Sequence, residues 1–242
     1  FSMGVWDAVN ACAPAIIKVK DSLALMGELI AKFSDDGTVR WTTSTGTAVE
    51  FTKYYDRKET VRRVAGNKTI NFNMRVPSDK VNINGVSNAM APNYTHSRDA
   101  DHIRRAVMAM PEDATAFLLI HDSFGTLCAD APQFAVVIRE TFIDMYEESN
   151  PLREFFDETM SPVMAFLGVP SWDEPLRTKE KLRVDVDKSL VKSKAMDKDS
   201  PAKKDEAEYR SVARKVIKIL ENIKPTGDMD FDVIRDCRYS FR

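Results

Sequence analysis

The residues best suited to chemistry lie together. An apolar run, Ala116-Phe117-Leu118-Leu119-Ile120, delivers His121 and Asp122, and Ser123-Phe124-Gly125 turns the chain back toward Thr126-Leu127-Cys128. A short continuous apolar run reads as a buried strand. A carboxylate at its end, held by a tight reversal, keeps its oxygens free. Such oxygens suit magnesium, a hard cation that keeps several waters and binds through one or two carboxylates. Paired ions held this way clamp the attacking and leaving oxygens of a phosphoryl transfer. Asp is also favoured in turns for its own hydrogen bonding. Spacing alone therefore leaves Asp122 open as a metal ligand or as a plain turn residue.

The elements that must position this hairpin follow from periodicity. Residues 3–33 keep a helical period that Pro14 must kink or split. Val39 to Thr43 and Thr47 to Phe51 alternate around Ser44-Thr45-Gly46, which predicts a hairpin. Lys53 to Arg63 is polar and basic. Thr69 to Val76 alternates again and ends at Pro77. Residues 82–92 are rich in Asn and Ala, and Ser97 can then cap a helix whose first turn holds Asp99 and Asp101. Asp130 and Pro132 open a further helix with a stripe of Phe134, Val137, Ile138, Thr141, Phe142 and Met145, ending near Asn150-Pro151. Residues 205–223 are helical in period, and Met229 to Arg242 alternates toward Tyr239-Ser240-Phe241-Arg242.

Composition narrows the class. The 242 residues are 43% hydrophobic and 30% charged, ordinary for a globular chain with a real core. Net charge is −2, so nucleic-acid binding must come from local patches. Residues 179–224 hold 14 Lys or Arg against 9 Asp or Glu, with Tyr209 the one aromatic. Within them, 188–204 read as a solvated or disordered loop. Three scattered cysteines, Cys12, Cys128 and Cys237, argue against a disulfide framework or a structural zinc site. No apolar run reaches the roughly 20 residues of a membrane span, and no signal peptide opens the chain.

The local sequence goes further. His121-Asp122-Ser123-Phe124-Gly125-Thr126 resembles the palm signature of the single-subunit, phage-type DNA-directed RNA polymerases, the family shared by T-odd phages and mitochondria. Upstream, Ala91-Pro92-Asn93-Tyr94-Thr95-His96-Ser97-Arg98-Asp99-Ala100-Asp101-His102 resembles a second block of that family, in the expected order and spacing. The helix from Ala129 to Thr141, the opening Val5-Trp6-Asp7-Ala8-Val9, the Trp41 hairpin and the ending at Phe241 are similar as well. Ser123 favours the RNA polymerases over the related repair-type DNA polymerases, which usually place Glu there.

The resemblance implies an α+β fold, with a small antiparallel palm sheet carrying the catalytic hairpin, packed by helices and followed by a C-terminal foot. It implies residues 1–175 as palm and fingers, 176–222 as a basic, partly disordered insert, and 223–242 as the foot. It implies Asp122 as catalytic carboxylate and magnesium ligand, with His121 at the RNA 3′ end. Arg40, Trp41, His96 and His102 would lie along the template–product hybrid, and Phe241 near the active site. Partners would be the DNA template, the RNA product and ribonucleoside triphosphates, in the cytoplasm of an infected bacterial host. The family's first catalytic Asp, in an Asp-Gly-Ser-like block, and its fingers helix find no match here. One carboxylate cannot hold two ions, so the chain should not polymerise alone. The missing part would be supplied in cis or by a partner chain, as in a split polymerase. A non-catalytic, nucleic-acid-binding palm remnant is the other reading.

Overall fold

A proline decides where the first helix starts. In the computed structural model, which describes residues 11–65, 68–121, 123–147, 149–169, 175–196, 200–223 and 230–236, the backbone leaves helical geometry at Ala13 (φ −136°). Pro14 then opens α1 (Pro14–Phe33) at a position where its missing N–H costs nothing. Leu23, Met26, Leu29 and Ile30 form the buried stripe of α1. At Gly27 a Cβ would lie 2.9 Å from Met90 Cβ, so glycine permits a close helix crossing.

Three antiparallel pairs follow among the described residues, each a two-stranded sheet of its own. In the first, β1 (Val39–Thr42) pairs with β2 (Ala48–Phe51), placing Trp41 opposite Val49. Gly37 enters it at φ +67°, and a Cβ there would meet Val81 Cγ2 at 2.7 Å. The second is a ribbon of β3 (Tyr54–Ala65) and β4 (Lys68–Val81). It is longer than the alternation from Thr69 to Val76 predicts, since β4 runs through Pro77. Both strands of a two-stranded ribbon are edges, where a missing N–H is tolerated, and the register slips between Tyr54 and Asp56.

The helix predicted to begin at Ser97 begins at Asn82 instead. The Asn82 side chain accepts from Gly85 N at 2.9 Å and caps α2 (Ile83–Met108). Pro92 sits inside α2, where Asn93 Nδ2 and Thr95 Oγ1 donate to the carbonyls of Ala89 and Ala91. Ser97 and Asp101 are therefore mid-helix and buried. The third pair is β5 (Phe117–Ile120) with β6 (Ser123–Thr126). Ile120 pairs with Ser123, so Ser123-Phe124-Gly125 belongs to the returning strand and not to the turn. The strand β5 is also not buried on both faces: Leu118 is 66% and Ile120 58% exposed.

The helices α3 (Ala131–Glu147), α4 (Pro151–Thr159) and α5 (Ser161–Phe166) come next. On α3 the buried stripe is Phe134, Ile138, Thr141, Ile143 and Met145. The basic segment forms a helical hairpin of α6 (Pro175–Lys194), which runs into the stretch expected as a loop from 188, and α7 (Pro201–Asn222), which matches the helical period of 205–223. Leu182, Val186, Val212, Val216 and Ile219 join the core of α1, so apolar positions at helical spacing outweigh the polar composition. Near the C-terminus the alternating pattern at Phe231 and Val233 gives a short helix, α8 (Asp232–Asp236). Arg235 ties it to Glu140 (3.4 Å) and Glu147 (2.7 Å) of α3.

The fold is thus α+β with small antiparallel sheets. Its main core gathers α1, the Trp41 hairpin, the start of α2, and α4 to α7. A second, smaller core of Ala106, Met110, Phe134 and Ile138 supports the β5–β6 hairpin through Phe117, Leu119 and Phe124. The α2 helix runs from one core to the other.

Candidate functional site

The β5–β6 hairpin packs one face of its pleat inward and leaves apolar Leu118 and Ile120 exposed on the other. Phe117 and Leu119 face the small core, where Phe117 meets Phe134 at 5.4 Å between ring centroids and Phe124 meets it at 6.0 Å. The reversal between Ile120 and Ser123 stands clear of that core, and His121 is exposed there. Its φ is +49°, and it is the one non-glycine residue with positive φ among those described. The left-handed region costs an L-residue about 1–2 kcal/mol, and retained strain of this kind clusters at functional sites. Asp122 and Phe241 lie outside the described residues.

The other sequence-predicted residues divide by burial. Arg40 is exposed and held by Asp36 (2.5 Å) and Glu50 (3.3 Å). The Arg40 guanidinium, with Thr38 N–H and Ser34 Oγ, holds the Asp36 carboxyl well below the usual carboxylate range. Trp41 is only 4% exposed and packs edge-on against Phe51 and Phe155. Its Nε1 donates to Ser97 Oγ at 3.2 Å. A direct nucleic-acid contact by Trp41 is therefore excluded: the indole anchors its hairpin. His96 is exposed on α2, one residue before that anchor.

His102 is corrected in the same way. It is 6% exposed, and its Nε2 donates to Ile138 O at 2.8 Å, since a carbonyl only accepts. Its ring lies 5.5 Å from those of Phe124 and Phe142. Burial pushes its pKa below 6.5. It supports the β5–β6 hairpin from beneath and has no free path to a hybrid.

Could these residues hold a metal? Among the described residues, no three His, Cys, Asp or Glu side chains come together to do so.

Sequence reasoning missed the β3–β4 ribbon as one continuous, solvent-exposed element. The signal was Gly66-Asn67 between two runs of strand-forming residues, a two-residue hairpin spacing. The ribbon carries seven Lys or Arg against three Asp or Glu. Its register sorts the side chains by face. One face bears Lys58 and Arg75, Thr60 and Asn73, then Arg62 and Asn71 as cross-strand pairs. The other bears Val61 and Phe72, Glu59 and Met74, then Arg63 and Ile70. At roughly 3.3 Å per residue it extends for about 40 Å.

The comparisons with known proteins agree with one another. The family described as DNA-dependent RNA polymerase matches residues 4–242. T7 RNA polymerase of Escherichia phage T7 is 29% identical over 171 residues, covering 64% of this chain and 19% of that protein. The DNA-directed RNA polymerase of Enterobacteria phage T3 is 30% identical over 171 residues, with the same shares. The chloroplastic/mitochondrial DNA-directed RNA polymerase 2 of Arabidopsis thaliana is 28% identical over 141 residues, covering 58% of this chain and 13% of that protein. The chain spans about a fifth of the length of the phage relatives it matches.

Proposed function

The chain belongs to the phage-type DNA-dependent RNA polymerase family, and from that premise we propose that it supplies the palm hairpin and foot of an enzyme that joins ribonucleotides along a DNA template. In that reaction the RNA 3′ hydroxyl forms a bond to the α-phosphorus of a ribonucleoside triphosphate, and pyrophosphate leaves. Asp122 is the catalytic carboxylate, and His121 beside it meets the RNA 3′ end or its phosphate. The observation that carries this reading is the exposed reversal at His121, held in a strained conformation on a rigid hairpin. Phe241 of the foot segment, 223–242, lies close to the same centre.

Carboxylate oxygens suit magnesium. A complete ion site needs at least one more carboxylate, contributed by polymerase sequence beyond this chain's matched blocks. The exposed Leu118 and Ile120 on the outer face of β5 favour packing against further polypeptide, in cis or from a partner chain. The reaction takes place in the cytoplasm of an infected bacterial cell.

The β3–β4 ribbon is the second functional element. A two-stranded ribbon fits the DNA major groove, which is about 12 Å wide. The face with Arg62, Asn71, Asn73 and Arg75 has the side chains that pair with guanine and adenine edges. Arg40 and His96, both exposed, lie within reach of phosphates along the hybrid.

The test is Asp122→Asn in the complete polymerase. RNA synthesis should fall to background while template binding is retained. Near-normal synthesis would overturn the assignment.

A further inference from the structure

One stretch of α2 meets two of the three hairpins. Ser97, Asp101 and Arg105 recur at helical spacing and face the β1–β2 hairpin. Ser97 Oγ accepts from Trp41 Nε1 at 3.2 Å. The Asp101 carboxylate accepts from Thr45 N at 2.9 Å, from Thr45 Oγ1 at 2.6 Å, and from Ser44 Oγ. Arg105 Nε donates to the same Ser44 Oγ at 3.1 Å. The Asp101 side chain is wholly buried, with Arg98 Nη1 3.5 Å and Arg105 Nε 3.8 Å away. Arg98 Nε and Nη2 are buried without a hydrogen-bond partner.

This arrangement is costly for stability alone. Desolvating a carboxylate and a guanidinium offsets most of their mutual attraction, and an apolar pair would hold a helix to a turn as well. What the carboxylate adds is direction, because its acceptors fit one placement of Ser44 and Thr45. That placement reaches the ribbon. Thr52 Oγ1 donates to Gly37 O at 3.2 Å across the hairpin's open end, and Asn82 N donates to Lys53 O at 2.7 Å where the ribbon returns to α2. The next residue, His102, lies under Phe124 of the β5–β6 hairpin.

We propose that Asp101 is a positioning residue that fixes the base of the β3–β4 ribbon relative to the Asp122-bearing hairpin, so that DNA held by one is presented in register to the other. The functional half of this statement rests on the reading given under Proposed function; the mechanical half does not.

The mechanical half is tested first. In the 242-residue chain with Cys12, Cys128 and Cys237 replaced by Ser, spin labels are placed through Val64→Cys on the ribbon and Gln133→Cys on α3. Pulsed electron paramagnetic resonance then gives their distance distribution. The parent should give one narrow peak, and Asp101→Ala should lose it while the helical circular dichroism is retained. Thr45→Val removes one hydroxyl from outside the buried carboxylate and should broaden the peak less. It decides the matter should Asp101→Ala not fold. A broad parent distribution, or an unchanged peak in a folded variant, overturns the proposal.

The functional half uses the complete polymerase with Asp101→Asn. The template concentration for half-maximal synthesis should rise about 2- to 30-fold, the span over which mutations weaken coupling between sites, with kcat little changed. A fall in kcat at unchanged template affinity overturns it. If the parent makes no RNA from a DNA template, the functional reading fails while the resonance result still stands.

Discussion

Two antiparallel hairpins follow one another in this chain, and they could hardly be treated more differently. The β1–β2 hairpin is short and pinned. Trp41 fills the main core between Phe51 and Phe155, and the turn residues Ser44 and Thr45 are tied to Asp101. The β3–β4 ribbon is long and stands in solvent on both faces, with Phe72 and Met74 about half exposed on one of them. Strand propensity cannot explain the difference, since both alternate. What differs is whether one face finds a partner. The first hairpin spends its aromatic side chains on the core and keeps little for recognition. The ribbon contributes little to the core, so its side chains remain available to another molecule. A hairpin anchored in the core and holding an exposed one is a mount and a probe.

The largest expected effect falls on the mount. Replacing Trp41 with Ala removes an indole from a close-packed site and leaves Ser97 Oγ without its donor. Loss of a buried Trp typically costs about 3–5 kcal/mol. Urea unfolding followed by circular dichroism should show an unfolding free energy lower by that amount, seen as a lower midpoint at unchanged slope. A loss below about 0.5 kcal/mol, the range of ordinary surface changes, would erase the contrast between the hairpins.

A smaller effect concerns the anchor under the β5–β6 hairpin. Burial lowers the His102 pKa below 6.5, so the folded chain resists protonation there. As the pH falls below 6.5 the unfolded chain takes up a proton that the folded chain does not. Stability therefore drops with falling pH until the folded pKa is reached, by at most about 1.4 kcal/mol per pH unit for one group. Asp101 works at lower pH. Burial raises its pKa, but the hydrogen bonds from Ser44 and Thr45 outweigh burial and leave it lowered, so its contribution is lost only in the acid range. Unfolding at pH 7.5 and 5.5 should show a loss in the parent that is absent in His102→Gln. An equal loss in both would place the titrating group elsewhere.

The sequence was informative where local pattern and burial agree. The Trp41 hairpin, the break at Pro14 and the α3 helix all follow from period and turn residues. It misled where a tertiary partner overrides a local rule. Pro92 and the Asn-rich run before it hide the start of α2, which an Asn82 cap and side-chain bonds to the carbonyls sustain. The Lys-rich stretch hides α6, whose apolar positions are few though rightly spaced, while α7 was legible in the period of 205–223. His102 and Trp41 belong to blocks that face nucleic acid by resemblance, yet the distance between a contact and its support is invisible in one dimension. His121-Asp122 stood out through its resemblance to the family's palm block, since spacing alone left Asp122 open as a plain turn residue. The ribbon did not, since nothing local says that a basic strand will be left unpacked.

The smallest effect on stability, and the most telling one for the comparison, belongs to the ribbon. Arg62 lies on the face with Asn71, opposite the apolar face of Val61 and Phe72. Both of its surroundings are solvent, so Arg62→Ala should change unfolding free energy by no more than about 0.5 kcal/mol. If the residue meets a phosphate, binding to any duplex should weaken alike, and the slope of log K against log salt should fall by about 1. If it meets a base edge, the salt slope should hold and preference at one position should relax, at a cost of about 1–3 kcal/mol there. Binding measured in the complete polymerase at several salt concentrations, on matched and altered duplexes, separates the two. A variant that loses stability like Trp41→Ala while binding DNA unchanged would mean that the ribbon is a second mount, and the contrast with the first hairpin would fall.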